Sequence, residues 1–217
     1  MNGVGERLTG RERALTYLRE VVLSDPAREG TFVNEQQLAE DVGLSRTPVR
    51  EALLILASEG LLQMLPQRGV YISPLSAREI RELMELRGVI ERYAVTVPGL
   101  DAEATGTAML GVLEEQAAMA GDASRRDAKA FIELDRRFHQ LMVDAAGSSL
   151  LSRTYAGLRE RQVRVGIAAL RAGDGRWRDV CLEHRAIAEA VRAGAVADAH
   201  AAIDAHLRMT SDALLAV

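Results

Sequence analysis

Four ionisable side chains stand where helix-forming stretches otherwise place leucine or alanine: Asp135, His139, His184 and His206. Asp135 and His139 lie four apart within a stripe made by Ala128, Phe131, Ile132, Phe138 and Met142, so both project from one helix face. His184 falls among Val180, Cys181, Ile187 and Val191, and His206 among Ala202, Ile203, Leu207 and Thr210. Burying a carboxylate or an imidazole is costly unless it is paired, hydrogen-bonded or metal-bound. Any one inward histidine is explained by a hydrogen-bonded core. One oxygen and three nitrogen donors together suit a borderline divalent ion, zinc first with nickel and manganese as alternatives, leaving open positions for water or a bound carboxylate. His200 competes for the last position, but six residues before His206 it projects about 120° away on an ideal helix, and His206 is preferred. A pocket for an anion also needs a cation, and Arg87 interrupts the apolar run of Ile80, Leu83, Met84 and Ala94. Arg87 is the candidate effector contact, and Glu91, four residues on, is its alternative partner. Arg161 and Arg164 are weaker candidates that read equally well as a solvated face, and Tyr93 and Trp177 read as packing.

A second chemistry lies in LAEDVGLSRTPVREALLILASEG, residues 38–60. Asn34 can cap a first helix and Gln37, three residues on, can answer the cap; Leu38, Ala39 and Val42 give an inward face, and Gly43 supplies a left-handed stop. Ser45 can cap a second helix through the Thr47 amide, with Pro48 in the first turn, where a missing N–H does no harm. Val49, Ala52, Leu53, Leu56 and Ala57 form its buried stripe, which leaves Arg46, Thr47 and Arg50 outside it. Arginine can fork onto guanine O6 and N7, and a helix start favours a phosphate. Residues 61–72 read as two short strands around Pro66-Gln67-Arg68-Gly69, a wing carrying one arginine. The fold class is mainly α: a winged helix-turn-helix with a small β-hairpin wing, then an all-α bundle.

The chain divides at Ser73-Pro74-Leu75, where Pro74 blocks the wing strand and Ser76 with Glu79 makes a capping box. The predicted organisation is residues 1–73 as the winged domain, 74–77 as linker and 78–217 as a bundle of six helices at 77–97, 101–120, 124–146, 148–171, 176–193 and 195–215. Breaks fall near Pro98, Gly121, Gly147, Gly173 and Gly194. Net charge is −4, and residues 1–73 hold eight arginines against ten acids, so any attraction to phosphate is a local patch of Arg46, Arg50 and Arg68. Cys181 is the single cysteine, which excludes a disulfide framework within the chain. With no signal peptide and no membrane-length apolar run in the sequence, a soluble cytoplasmic protein without a membrane partner is expected.

The segment from about residue 11 to 72, with LSRTPVREAL at 44–53, EGLL at 59–62 and RGV at 68–70, resembles the DNA-binding domain of GntR-type bacterial transcription regulators. The resemblance implies contacts to double-stranded, palindromic operator DNA by Ser45, Arg46, Thr47 and Arg50, with Arg68 and Gly69 in the wing turn, and it implies a homodimer. Many relatives place an arginine early in the preceding helix, where this chain has Gln36 and Gln37, and Arg28-Glu29-Gly30-Thr31 replaces the usual Pro-Gly lead-in. Residues 78–215, with D-x-x-x-H, then E-H-x-x-I, then H-L, resemble the FCD effector domain of the FadR-like branch. That likeness implies Asp135, His139, His184 and His206 as ligands of a divalent metal beneath a pocket for a small organic acid, and the six-helix length looks closest to the VanR-like subgroup. Arg87 with Glu91 matches an R-x-x-x-E arrangement on the first helix of that domain.

The expected function is a sequence-specific transcription regulator, a repressor rather than an enzyme, whose operator affinity is set by a carboxylate metabolite. Two other classes stand beside it. A metal-dependent hydrolase could use three histidines and an aspartate to activate water, but no spare glutamate offers itself as a general base and the winged domain would have no role. A constitutive DNA binder with a purely structural metal site is the third.

Overall fold

The computed structural model describes residues 8–215 and divides the chain into two compact units, Met1–Leu75 and Ser76–Val217. In the first unit, Thr9 and Glu12 form a reciprocal capping box that starts α1, Gly10–Tyr17, which runs on into a wider helical turn at Leu18–Val22. A strand β1, Phe32–Val33, precedes α2, Glu35–Val42, and α3, Arg46–Ser58; β2, Leu62–Leu65, and β3, Gly69–Ile72, follow. The sheet order is β1-β3-β2, all antiparallel, with Phe32 opposite Tyr71 and Met64 opposite Val70. The wing predicted at residues 61–72 is therefore present. The strand β1 was not foreseen, because two residues carry no readable alternation. Leu18, Leu38, Val49, Leu53, Leu56 and Ile72 meet in one core that fixes α3 against the sheet.

Two capping expectations are corrected. Asn34 accepts from the amides of both Gln36 and Gln37, but the Gln37 side chain donates forward to Asp41 at 2.9 Å instead of returning to the cap. Ser45 occupies the cap position of α3 and makes no side-chain hydrogen bond to its first turn. Gly43 closes α2 in the left-handed conformation, as its position predicted.

The second unit is helical. Ser76 and Glu79 form the predicted capping box for α4, Ala77–Ala94, so the last residue of the proposed linker is already helical. Then come α5, Ala102–Gly121, α6, Ala128–Asp144, α7, Ser149–Ala156, α8, Arg159–Leu170, α9, Arg176–Arg192, and α10, Val196–Leu215. The single helix expected at 148–171 is two, because the chain turns at Gly157-Leu158; seven helices replace six among the described residues, without added length. Helix α5 packs on α9 and α6, α10 on α9, α4 and α8, and α6 on α4 and α8. One face each of α4, α6, α8, α9 and α10 thus looks into a shared interior.

Candidate metal centre and nucleic-acid interface

In the winged unit, Arg46 and Arg50 sit one turn apart at the start of α3, with side chains 66 % and 58 % exposed. Both point their guanidinium groups at one carboxylate: Arg50 Nη1 lies 2.9 Å from Glu35 Oε2 and Arg46 Nε 3.8 Å from Glu35 Oε1, and Glu35 is only 13 % exposed. Thr47 is exposed beside them. Gln36 and Gln37, standing where an arginine was looked for, are held by Glu40 and Asp41 on their own helix. Across a groove of about 420 Å³ from α3 lies the wing turn, where Gln67 takes a left-handed φ of 63° and Arg68 is exposed. A side chain at Gly69, whose φ is 94°, would bring a Cβ within 2.9 Å of the Val33 carbonyl oxygen, so the wing turn requires glycine there.

In the helical unit, Asp135 and His139 from α6, His184 from α9 and His206 from α10 each bring one donor atom to within 4.8 Å of the others. His200, as its angular offset predicted, lies apart and contacts the Arg92 carbonyl at 3.0 Å. Each histidine is held through Nδ1 by a different outer group. His184 Nδ1 is hydrogen-bonded to Gln116 Oε1 at 2.8 Å and His206 Nδ1 to Glu183 Oε2 at 2.7 Å, while His139 Nδ1 comes within 2.9 Å of Glu91 Oε2 as an ion-pair contact without hydrogen-bond alignment. Holding Nδ1 in this way leaves the Nε2 lone pair as the free donor. Both ring nitrogens of His139 and the Nε2 of His184 are buried and have no hydrogen-bond partner, although His184 Nε2 comes to 3.2 Å from Asp135 Oδ1.

The electrostatics prepare these groups for a cation. Burial pushes the His184 imidazole down to about 3 despite the opposing pull of Asp135, and burial lowers His206 as well, against Glu183. Burial alone would raise Asp135, but His184, His139 and Arg87 hold its carboxyl well below the usual carboxylate range. Neutral His184 and His206 beside an ionised Asp135 are in the protonation state that a divalent metal needs. A tetrahedral zinc site places its ligand atoms ~3.3 Å apart. The four side chains fit such an ion after a small inward movement of their donor atoms.

Beside the cluster is a small cavity of about 20 Å³, lined among others by Arg87, Asp135, Gln162, Arg176, His206 and Thr210. That is room for roughly one water. Arg87 is 4 % exposed and its Nε donates to Glu91 Oε1 at 2.8 Å, so the pairing weighed from the sequence is formed, yet its Nη2 has no partner. Gln162 has no partner for either amide atom, and Arg176 none for Nε. A cavity so lined attracts an anion or a polar group with several acceptors. Gly166 on α8 forms part of its wall, where a Cβ would lie 2.7 Å from Ile132 Cδ1.

Comparison with known proteins places both halves. Residues 11–72 match the family described as bacterial regulatory proteins, gntR family, and residues 82–209 match the FCD domain. The chain belongs to the GntR family of regulators with an FCD domain. It is 31 % identical over 204 residues to an HTH-type transcriptional regulator from an unstable DNA locus of Streptomyces ambofaciens, covering 94 % of this chain and 84 % of that one. It is 32 % identical to the HTH-type transcriptional repressor RspR of Escherichia coli K12 over 137 residues, 63 % of this chain and 59 % of that one. Among solved structures, the fold is shared with E. coli McbR/YncC at a TM-score of 0.76 and 20 % identity, covering 97 % of this chain and 99 % of that one. A GntR regulator structure from Rhodococcus sp. RHA1 gives the same TM-score at 21 % identity, covering 95 % and 98 %.

Within this GntR chain several side chains around the site escaped the sequence reading. Glu183, Gln116, Gln162 and Arg176 were not singled out; Arg176 and Glu183 lie seven apart on α9, two turns along one face, and that spacing was the available signal. Arg164 is buried, which removes the solvated-face reading for it. Tyr93 is 57 % exposed and not packed, whereas Trp177 does pack, with Phe131 at 4.7 Å between ring centroids and Arg126 over its face at 5.4 Å. No helix among the described residues is long and apolar enough to cross a membrane.

Proposed function

We propose that this GntR regulator is a cytoplasmic, non-catalytic repressor that binds a palindromic operator as a homodimer and whose DNA affinity is set by a small carboxylate held at a divalent metal. The observation that carries this reading is the meeting of one carboxylate and three buried imidazoles, two of them with orphaned Nε2 atoms, beside a cavity carrying two arginines. Asp135, His139, His184 and His206 hold the metal, zinc by preference for nitrogen-rich tetrahedral sites, with nickel or manganese as the alternatives. When bound, the metal supplies a Lewis-acidic anchor for the effector carboxylate. Arg87 and Arg176 supply the charge that selects an anion, and the 20 Å³ of existing space means that the acid enters by displacing the water-sized void and moving its walls.

On the DNA side, Arg46 and Arg50 read base edges, Ser45 and Thr47 take a phosphate with the uncapped start of α3, and Arg68 with Gly69 sets the wing against the backbone. The name of RspR, a repressor, supports the sense of control. The VanR-like reading rests on a six-helix length; the seventh helix here comes from a break and not from an insertion, so the length still supports that reading.

The small cavity favours one second reading, a structural metal in a constitutive DNA binder. Elemental analysis of protein purified without affinity-tag metal, followed by thermal-shift screening of small carboxylic acids before and after chelation, separates the two. About one metal per chain with an acid stabilisation that chelator abolishes supports the sensor. Metal without any acid response supports the constitutive binder, and no metal removes the ligand set.

A further inference from the structure

Two of the three histidines each lie against a carboxylate that a cavity arginine also holds, Glu91 for His139 and Glu183 for His206. In the first chain, Arg87 Nε donates to Glu91 Oε1 at 2.8 Å, the Tyr155 hydroxyl donates to the same oxygen at 2.7 Å, and Glu91 Oε2 lies 2.9 Å from His139 Nδ1. In the second, Arg176 grips Glu183 through both terminal nitrogens, Nη2 to Oε2 at 3.0 Å, and Glu183 Oε2 lies 2.7 Å from His206 Nδ1. None of these seven side chains is more than 9 % exposed. Each arginine keeps one nitrogen without a partner, Arg87 Nη2 and Arg176 Nε, and both arginines line the cavity. His184 is different: its Nδ1 is held by the neutral Gln116 amide, with no arginine behind it.

We propose that Glu91 and Glu183 are positioning residues that couple the cavity to the metal ligands, so that drawing Arg87 and Arg176 toward an anion tightens the grip of His139 and His206 on the ion. The inference rests on the metal reading above. A carboxylate shared between a guanidinium and an imidazole divides its acceptor strength between them, and charge-assisted hydrogen bonds in a dry interior feel one another's loss. When the arginine turns away, the carboxylate holds the Nδ1–H more strongly, fixes the ring and enriches the Nε2 lone pair; outer groups of this kind typically change metal affinity by about 10 to 100-fold. Coupling of two binding events is reciprocal, so the metal then tightens the anion by the same factor.

The test needs no knowledge of the effector. Zinc affinity of the full chain is measured by competition with a chromophoric chelator, with cobalt absorption reporting the ligand field and circular dichroism the fold. Glu183→Gln should weaken zinc by about 10 to 100-fold and shift the cobalt bands. Arg176→Met, which frees Glu183 for His206 alone, should tighten zinc by roughly tenfold, opposite to the effect of general damage, and this gain should vanish in the Glu183→Gln background. An equal gain in that background would mean a simple field effect of removing a cation, and a loosening by Arg176→Met would mean damage; either overturns the inference while leaving the metal site standing. Should the Arg176 variants lose their helical signal, Arg87→Met with and without Glu91→Gln gives the same cycle on the other chain. A wild-type protein that binds no zinc and no cobalt overturns the metal reading itself.

Discussion

In the winged unit the arginines stand at the surface, Arg46 and Arg50 sharing the one carboxylate of Glu35, whereas in the helical unit Arg87 and Arg176 are buried and each is locked to its own glutamate. The exposed pair is screened by solvent and can leave Glu35 for a base or a phosphate at small cost. The buried pairs cannot be broken without leaving a charge in a dry interior, a loss of several kcal/mol. The same two residue types therefore make exposed, easily exchanged pairs in one place and buried pairs that are costly to break in the other. A group released in the second unit must therefore find a new partner inside the bundle, such as an anion entering the cavity.

The sharpest way to separate the two regions is His184→Ala. It should remove stoichiometric metal, with a loss in zinc affinity beyond the 10 to 100-fold typical of outer positions, while binding to a duplex selected by the protein from a random pool persists. Retained metal by elemental analysis would show that the ligand set is wrong. Arg50→Ala is the converse: operator affinity should fall by roughly 1 to 3 kcal/mol per half-site, read by gel shift or anisotropy, with metal content unchanged. Undiminished binding would sink the assignment of α3 as the reading helix.

Acid should distinguish the regions next. His184 is held down to about 3 and His206 is lowered, while Asp135 and Glu91 sit below the carboxylate range, the last because Arg87 and His139 outweigh the effect of its burial. All four groups take up protons on unfolding that the folded core refuses. Stability of the helical unit is therefore full above about 6.5, the ordinary histidine value, and falls as pH drops through the window between 6.5 and about 3. The single tryptophan, Trp177, lies in this unit, so urea titrations followed by its fluorescence at pH 7.5 and pH 5 report it selectively. An equal midpoint at both would contradict neutral buried imidazoles.

Smaller effects probe packing and caps. Gly166→Ala drives a Cβ to 2.7 Å from Ile132 and should cost about 1 to 3 kcal/mol of thermal stability. Asn34→Ala removes a cap that accepts from two amides and should cost about 1 kcal/mol, whereas Ser45→Ala, which loses no capping bond, should cost less than that in a melt and show its effect in DNA binding. A Ser45→Ala loss in stability as large as that of Asn34→Ala would mean that Ser45 does cap α3 in solution.

How much of each region was legible follows from how far apart its partners lie in the chain. The wing, α2 and α3 lie within residues 34–72, and their turn glycines, caps and apolar stripe are local signals. The four ligand candidates were legible too, because a charged or polar residue in the middle of an apolar face breaks a local pattern. The break at Gly157 was hidden, since one glycine in an otherwise helical stretch is often tolerated. The capping role assigned to Ser45 failed for a different reason: residue type offers a hydrogen bond, but the backbone around it decides whether that bond is made.

By itself the sequence determined most of the helices, that α3 is followed by a wing, and which side chains must be accounted for in the interior. Only the tertiary structure decided the partners: that Glu35 bridges Arg46 and Arg50, that Gln116, Glu91 and Glu183 each hold a different histidine, and that Arg87 and Arg176 meet over one small cavity. The reason is physical. A periodic pattern fixes the direction in which a side chain leaves its own helix, but the group it meets belongs to another helix far along the chain, 68 residues away for Gln116 and His184, and that meeting is set by how the helices pack.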